Sequence, residues 1–216
     1  PGNDLTASAR SGWASVNGLS KKSPLKQTGY QASFQAGTTA FAGAVSALIF
    51  KNKNGMGQSI DVGLDDASVM CFAPGILRSV YNNYPVKRRR SIDMTSGPVP
   101  VKDGHFALTI TRPHFWQGAM KLLGLKDLAE EPSLQSTANR NANKNLFLRR
   151  VETAMQSWTK SDLFQELSRI PVVAGPVLTM GELAKNSHLK ARKYFLKKGG
   201  VTYTGAPFLL SDTPPT

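Results

Sequence analysis

The chain has 216 residues, 40% of them apolar and 19% charged, with 19 Gly and 13 Pro. That length is enough to bury a real core in one large domain or two small ones, and that composition excludes wholesale disorder, collagen and coiled coil. Twenty-seven Lys and Arg against 14 Asp and Glu leave a net charge of +13, which favours an anionic partner: nucleic acid, nucleotide, acidic lipid or acidic protein surface.

Asn3 to Arg10 reads as a short helix stopped near Gly12. The first residues lack the basic-then-apolar order of a signal peptide. Asn17 to Tyr30 is rich in Gly, Ser, Lys and Pro and reads as a loop. A helix is predicted from Ser33, a candidate N-cap, to Phe50, with Phe34, Phe41, Val45 and Leu48 as its apolar stripe. Its many Ala and Gly residues imply close packing against another backbone. Thr38 to Phe50 is the densest apolar stretch, and no uninterrupted run reaches the roughly 18 residues of a membrane span. Lys51 to Gly55 ends the helix with cations and a glycine cap. Gln58 to Leu64 alternates polar and apolar and reads as a strand. Asp65 or Asp66 starts a further helix through about Val80, giving the helix, strand, helix order of an α/β layer. Cys71, the single cysteine, excludes an internal disulfide and a multi-cysteine zinc site. Val69, Met70 and Phe72 around it predict a buried thiol.

Asn82 to Pro100 is a polar, basic connector. Val101 to Gly104 is a turn with Asp-Gly at its tip, and His105 to Thr111 is a strand. Pro113 opens a helix through about Leu123. Leu146 to Trp158 and Ser161 to Arg169 are helices, the second started by Ser161-Asp162. Pro171 to Leu178 is a strand, Glu182 to Lys198 two short helical pieces, and Val201 to Thr204 a last strand.

A search for chemistry from residue types alone returns little. None of the three histidines pairs with another at helix spacing, so no metal site is expected. Gly55-Met56-Gly57-Gln58 follows a helix and precedes a strand, the reverse of a P-loop or dinucleotide fingerprint. It is better read as a helix stop. Asp65 and Asp66 suit a helix N-terminus. Two basic blocks stand out: Lys87-Arg88-Arg89-Arg90, and Lys185, Lys190, Arg192, Lys193, Lys197 and Lys198. A solvated face is the simpler reading of each, and phosphate contact the functional one. Neither is interleaved with aromatics as a single-strand platform requires, so nucleic-acid binding ranks low.

The order of the motifs says more. Ser46-Ala47-Leu48, Asn54-Gly55-Met56-Gly57-Gln58 and Ile60-Asp61-Val62-Gly63-Leu64 follow one another as the small-residue helix, TGxGQ-like turn and VDVSL-like strand of the family III CoA-transferases, the CaiB/BaiF family. Lys102-Asp103-Gly104-His105 to Leu108 resembles the family's KDGYxxL hairpin. Pro176-Val177-Leu178-Thr179, Glu182-Leu183 and His188 to Arg192 resemble its PVxTxxEL…HxxAR stretch. Pro207-Phe208-Leu209-Leu210-Ser211 resembles PFxLS.

The resemblance implies an α/β fold: part of a Rossmann-like large domain plus a small α/β domain, in chains that interlock as homodimers. On that pattern, residues 1–82 are the C-terminal part of the large domain and 83–100 a linker. Residues 101–180 are the small domain, and 181–216 return toward the large one. Family members are about twice this length, so an internal piece of such a protein is expected. The implied reaction moves CoA between an acyl-CoA and a carboxylic acid through an enzyme aspartate, with CoA as substrate and no tightly bound cofactor. Cytoplasmic location and no membrane partner are expected.

Counting back from Gly55 puts the family aspartate at Ser33, the candidate catalytic position. An inactive protein and a non-catalytic CoA-binding or assembly subunit are therefore the rival readings. No base for Ser33 is identifiable nearby, and helix capping is the simpler explanation of a serine there. Gln31 and Gln35 beside it, and Lys87, Arg88, Arg89 and Arg90 for the CoA phosphates, are the candidate ligand-binding residues. The related racemases, α-methylacyl-CoA racemase among them, pair that aspartate with a histidine in a GHDxxxxAxSG pattern. That pattern lies over Gly2-Asn3-Asp4 to Gly12, with Asn3 for the histidine. Two-base proton exchange lacks both groups, so racemase is disfavoured.

Overall fold

The first helix is set by a reciprocal cap. The Asn3 side chain accepts the Thr6 N–H at 3.1 Å and the Thr6 hydroxyl accepts the Asn3 N–H at 2.8 Å, so two orphan donors are satisfied at once. In the computed structural model, which describes residues 2–71, 73–88, 90, 93–95 and 97–214 (backbone alone at 73 and 74), the chain forms two units, residues 1–92 and 93–216.

The first unit contains α1 (Asp4–Arg10), α2 (Trp13–Val16), α3 (Gln31–Asn54), α4 (Leu64–Cys71) and α5 (Ala73–Asn82). Helices α1, α3 and α4 meet through small side chains: Ala7, Ser8, Ala32, Ala36, Ala67 and Ser68 are buried. Arg10 on α1 also pairs with Asp65 on α4 at 3.2 Å. Asp65 and Asp66 do lie in the first turn of α4.

Helix α3 departs from its sequence reading in three ways. It starts earlier, with Tyr30 as N-cap, because the Tyr30 carbonyl already accepts the Phe34 N–H at 2.9 Å. Ser33 is therefore inside the first turn and is not the cap. Its predicted apolar stripe is exposed, Phe34 at 67% and Phe41 at 70%. Only Ala32 and Ala36 are buried on this helix, although Gly43 does allow Ile60 to approach closely. Finally, α3 is long and apolar enough to cross a membrane by length and composition, with mean hydropathy 1.3 over 18 residues. Counting uninterrupted apolar residues missed this, because Thr, Ser and Gly are averaged into the window; the core helix of a soluble protein passes the same test. The glycine stop holds: Gly55 adopts φ 72° and donates its N–H to the Lys51 carbonyl at 2.7 Å.

Gln58 to Leu64 forms no strand. Alternation alone does not make one, since a strand needs a partner for its backbone groups, and the first unit has none among the described residues. The helix predicted from Asp65 to Val80 is two helices, α4 and α5. The Cys71 thiol is exposed, because α4 turns Ala67 and Ser68 inward instead. Phe72, part of its expected apolar surroundings, lies outside the described residues.

The second unit keeps the turn at Asp103-Gly104 and most of the elements read from the sequence, and adds some that were not read, among them helices at Lys126–Glu130 and Thr137–Ala142. β1 (Val99–Val101), at the end of the stretch read as a connector, pairs with β2 (Gly104–Thr109) across that turn, and β3 (Val173–Pro176) pairs with the other side of β2. All pairings are antiparallel, with Phe106 opposite Val99 and Pro176. α6 (Pro113–Leu122) opens at Pro113 as predicted. α7 (Lys126–Glu130), a 3-10 turn (Pro132–Leu134), α8 (Thr137–Ala142), α9 (Lys144–Gln156) and α10 (Lys160–Ser168) complete the layer. Thr159, and not Ser161-Asp162, caps α10 by accepting the Asp162 N–H at 3.1 Å.

The core of this unit is large and mostly apolar. Phe106, Trp116, Met120, Leu134, Phe147, Val151, Met155 and Leu163 are fully buried. Trp116 and Phe147 meet edge to face, ring centres 5.0 Å apart, and the Trp116 N–H donates to the Leu128 carbonyl at 2.9 Å. Arg140 is also buried. Its guanidinium donates to the carbonyls of Leu134 (2.6 Å), Ile110 (2.7 Å) and Thr111 (2.9 Å) and lies over the Trp116 ring.

The tail holds α11 (Met180–Ala184), α12 (Ser187–Ala191) and a separate hairpin of β4 (Phe195–Lys198) and β5 (Val201–Thr204). The two helical pieces are as predicted, but Phe195 to Lys198 is a strand. Lys193 at φ 52° turns the chain out of the helix before it.

Candidate active site

The position singled out by the sequence, Ser33, meets a carboxylate that the sequence reading left unused. Asp4 opens α1 and Ser33 lies in the first turn of α3. Packing of α1 on α3 through Ala7, Ala32 and Ala36 brings the two together. Asp4 Oδ1 accepts the backbone N–H of Ala32 at 2.9 Å and of Ser33 at 3.3 Å. The Ser33 hydroxyl donates to Asp4 Oδ2. Three donors thus converge on one half-exposed carboxylate at the positive end of a 24-residue helix.

The electrostatics follow from those contacts. The Ser33 hydroxyl has the largest effect on the Asp4 carboxyl and lowers it; desolvation, next in size, opposes, and the two backbone N–H groups and the Lys26 charge add to the lowering, so the carboxyl lies below the usual aspartate range. Asp4 is ionised throughout the neutral range. Lys26 itself is anchored by donating to the carbonyls of Gln27 (2.9 Å) and Gly29 (2.8 Å).

Gln31 and Gln35, on the first turns of the same helix, line a cavity of about 360 Å³ with Asn17, Gln27, Thr28 and Cys71. Gln27 Oε1 is shielded from solvent and has no hydrogen-bond partner among the described residues. The predicted residues Ser33, Gln31 and Gln35 are therefore brought to one helix start. The basic block is not part of that cluster among the described residues. Lys87 and Arg90 are exposed, Arg88 donates to the Lys22 carbonyl at 2.8 Å, and Arg89 lies outside the described residues. The second block, Lys185 to Lys198, is exposed on the tail of the other unit.

Asp4 is the residue that sequence reasoning missed. It stands 29 positions from Ser33, so no local pattern links them. The available signal is its place in the Gly2-Asn3-Asp4 segment, next to the position that holds histidine in the racemase pattern. The three histidines are exposed. No group of three or more His, Cys, Asp or Glu is placed to hold a metal among the described residues.

Comparison with known proteins bears on this arrangement. Acetyl-CoA:oxalate CoA-transferase of Acetobacter aceti is 24% identical over 98% of this chain and 55% of its own length. Succinate–glutarate CoA-transferase of Agrobacterium fabrum is 24% identical over 99% of this chain and 55% of its own. The chain thus spans about half the length of the curated relatives it matches. Among solved structures, a CaiB/BaiF family protein from Brucella suis superposes with TM-score 0.81 at 25% identity, covering all of this chain and 58% of that one. Rv3272 of Mycobacterium tuberculosis superposes with TM-score 0.84 at 19% identity, over 99% of this chain and 57% of that one. The mixed α/β architecture with small sheets is the one those structures share. The family model of CoA-transferase family III matches residues 1–216, and the chain belongs to that family.

Proposed function

We propose that this protein transfers CoA between an acyl-CoA thioester and a carboxylic acid. The observation that carries the reading is the family match over residues 1–216. The relatives named above are named for acetyl-CoA and oxalate and for succinate and glutarate, so short dicarboxylic acids are the acceptors to try first. The ionised Asp4 carboxylate, lodged against Ser33, supports chemistry at that helix start.

The wider architecture belongs to the same proposal. Residues 1–82 would complete a Rossmann-like large domain, and two chains would interlock. The exposed stripe of Phe34, Phe41, Val45 and Leu48 supports burial of α3 in a larger assembly. Lys87, Arg88 and Arg90 would meet the CoA phosphates, with Arg88 keeping donors beyond the one given to Lys22. A cytoplasmic location suits a thioester substrate and a lone exposed thiol.

Ser33 at the family aspartate position favours one rival, a subunit that binds CoA without turnover. Calorimetric titration with CoA and acetyl-CoA at two salt concentrations tests what both readings share. Saturable binding that weakens with salt is expected. Absence of binding at millimolar ligand contradicts both.

A further inference from the structure

We infer that the second unit carries a binding site for a short free carboxylic acid with an apolar body, in the cavity where the Arg140 guanidinium meets the unpaired edge of β2. The inference rests on the second unit alone and stands whether or not the protein transfers CoA. The cavity measures about 330 Å³, at the lower end of the roughly 300–1,000 Å³ that small-molecule sites occupy. It opens because β1 pairs with β2 only as far as Phe106, while β3 follows the other edge of β2 to Thr109. Before Val99 the chain leaves the sheet, and the Gly97 N–H donates to the Asp93 carbonyl at 3.0 Å. Met94, Gly97 and Pro98 then line one wall, β2 the back, and α8 the other wall.

Arg140 is the first reason to expect an anion there. It lines the cavity and is only 2% exposed. Its Nη1 donates to the Leu134 carbonyl, and its Nη2 to the carbonyls of Ile110 and Thr111 and to the Thr137 hydroxyl. All four partners are neutral. A guanidinium has five N–H groups, and Nε–H and one Nη1–H take no part in those bonds. Burial pulls the group below its ordinary value, and no carboxylate among the described residues offsets it. A buried charge is best stabilised by an opposite one that also takes its spare hydrogen bonds.

The second reason is the backbone of Leu108. The His105 carbonyl accepts the Val177 N–H at 2.9 Å, so the odd-numbered residues of β2 turn their backbone groups to β3 and the even-numbered ones to the opposite edge. Leu108 therefore presents its N–H on the cavity side, two residues beyond the last β1 partner, with no hydrogen bond there among the described residues. A carboxylate has two oxygens, one for the guanidinium and one for this N–H. The walls select the rest of the ligand. Met94, Leu108 and Ile110 are buried apolar residues of the lining, which suit a short hydrocarbon body better than a phosphate ester. Asp93, beside that wall, is paired with Lys144 at 3.0 Å, so its charge is offset before an anion enters.

A guanidinium that only ties β2 to the 3-10 turn would bind nothing, so the test reads binding and its place. The protein is titrated with butyrate, and with butyramide as a neutral control of the same shape, and the backbone and arginine N–H signals are followed by NMR. Saturable shifts of the Leu108 N–H and the Arg140 Nε–H with butyrate are expected, with butyramide weaker by about tenfold or more. Asn141 lines the cavity, is exposed, and makes no side-chain hydrogen bond among the described residues, so it can be changed without disturbing the bonds of Arg140. Asn141→Asp places a like charge at the rim and should weaken butyrate by about tenfold or more, with little change in melting temperature. Asn141→Leu should keep the affinity. Equal binding of butyrate and butyramide, full butyrate affinity in Asn141→Asp, or shifts confined to residues away from the cavity overturns the site. So does the absence of any saturable shift. Each of these leaves CoA transfer standing, since transfer is read from thioester exchange.

Discussion

Asp4, Arg140 and Cys71 show how much depends on single side chains. The buried Arg140 guanidinium donates to three carbonyls and to the Thr137 hydroxyl, and to no carboxylate among the described residues. Its role is to stitch the end of β2 to the 3-10 turn at Leu134. Arg140→Leu leaves those carbonyls without their donor and should destabilise the second unit by about 3 kcal/mol or more, read from the denaturant midpoint. A loss below 1 kcal/mol would mean that water replaces it freely. Cys71 should react fully with a thiol reagent in the native protein, since α4 exposes it; protection until unfolding would contradict that. Neither fact was legible in the sequence. Val69, Met70 and Phe72 mark a helix with apolar residues, but which face turns inward depends on what α1 and α3 present. Small residues there select Ala67 and Ser68.

At the scale of elements, local chemistry was readable wherever an element is stabilised from within or by its neighbour in sequence. The Asp103-Gly104 turn, the start of α6 at Pro113 and the stop of α3 at Gly55 all stand as read. Elements whose stability comes from elsewhere were misread. Gln58 to Leu64 has the strand pattern and no strand to pair with. Ser33 has the chemistry of a cap, yet it lies inside the first turn of α3, where its hydroxyl donates to the Asp4 carboxylate from α1. The candidate residues of that helix start could be named from the sequence, and the carboxylate that Ser33 meets could not. Packing also grades the elements. β2 buries Phe106 and Leu108 between two partner strands, whereas all of β5 is exposed on a two-stranded hairpin. Amides of Phe106 and Leu108 should exchange with solvent orders of magnitude more slowly than those of Val201 to Thr204. Equal protection would contradict the division between core and tail.

Across the molecule, the two units draw on different resources. The second has a packed core, so Phe147→Ala should cost about 3–5 kcal/mol. The first buries small side chains and leaves Phe34, Phe41 and Leu48 outside. The second unit also carries an acid-sensitive tie. The Lys160 ammonium, 2.5 Å from Glu182, together with the Thr179 N–H and hydroxyl, lowers the Glu182 carboxyl from 4.5 to about 2. A depressed carboxylate contributes stability above its unfolded value and loses it as pH falls through the folded one. Acid should therefore weaken the second unit between about pH 4.5 and 2, and Glu182→Gln should flatten that part of the profile; an unchanged profile would show the tie to be idle. The charge of +13 acts over longer range and should appear as salt-sensitive binding of an anionic ligand.

CoA transfer itself is tested most directly by mixing the protein with succinyl-CoA and a second short carboxylic acid, and following the thioesters by mass spectrometry. The account predicts that CoA appears on the second acid as free succinate accumulates in equal amount. Hydrolysis to free CoA, or binding without any new thioester, would contradict it.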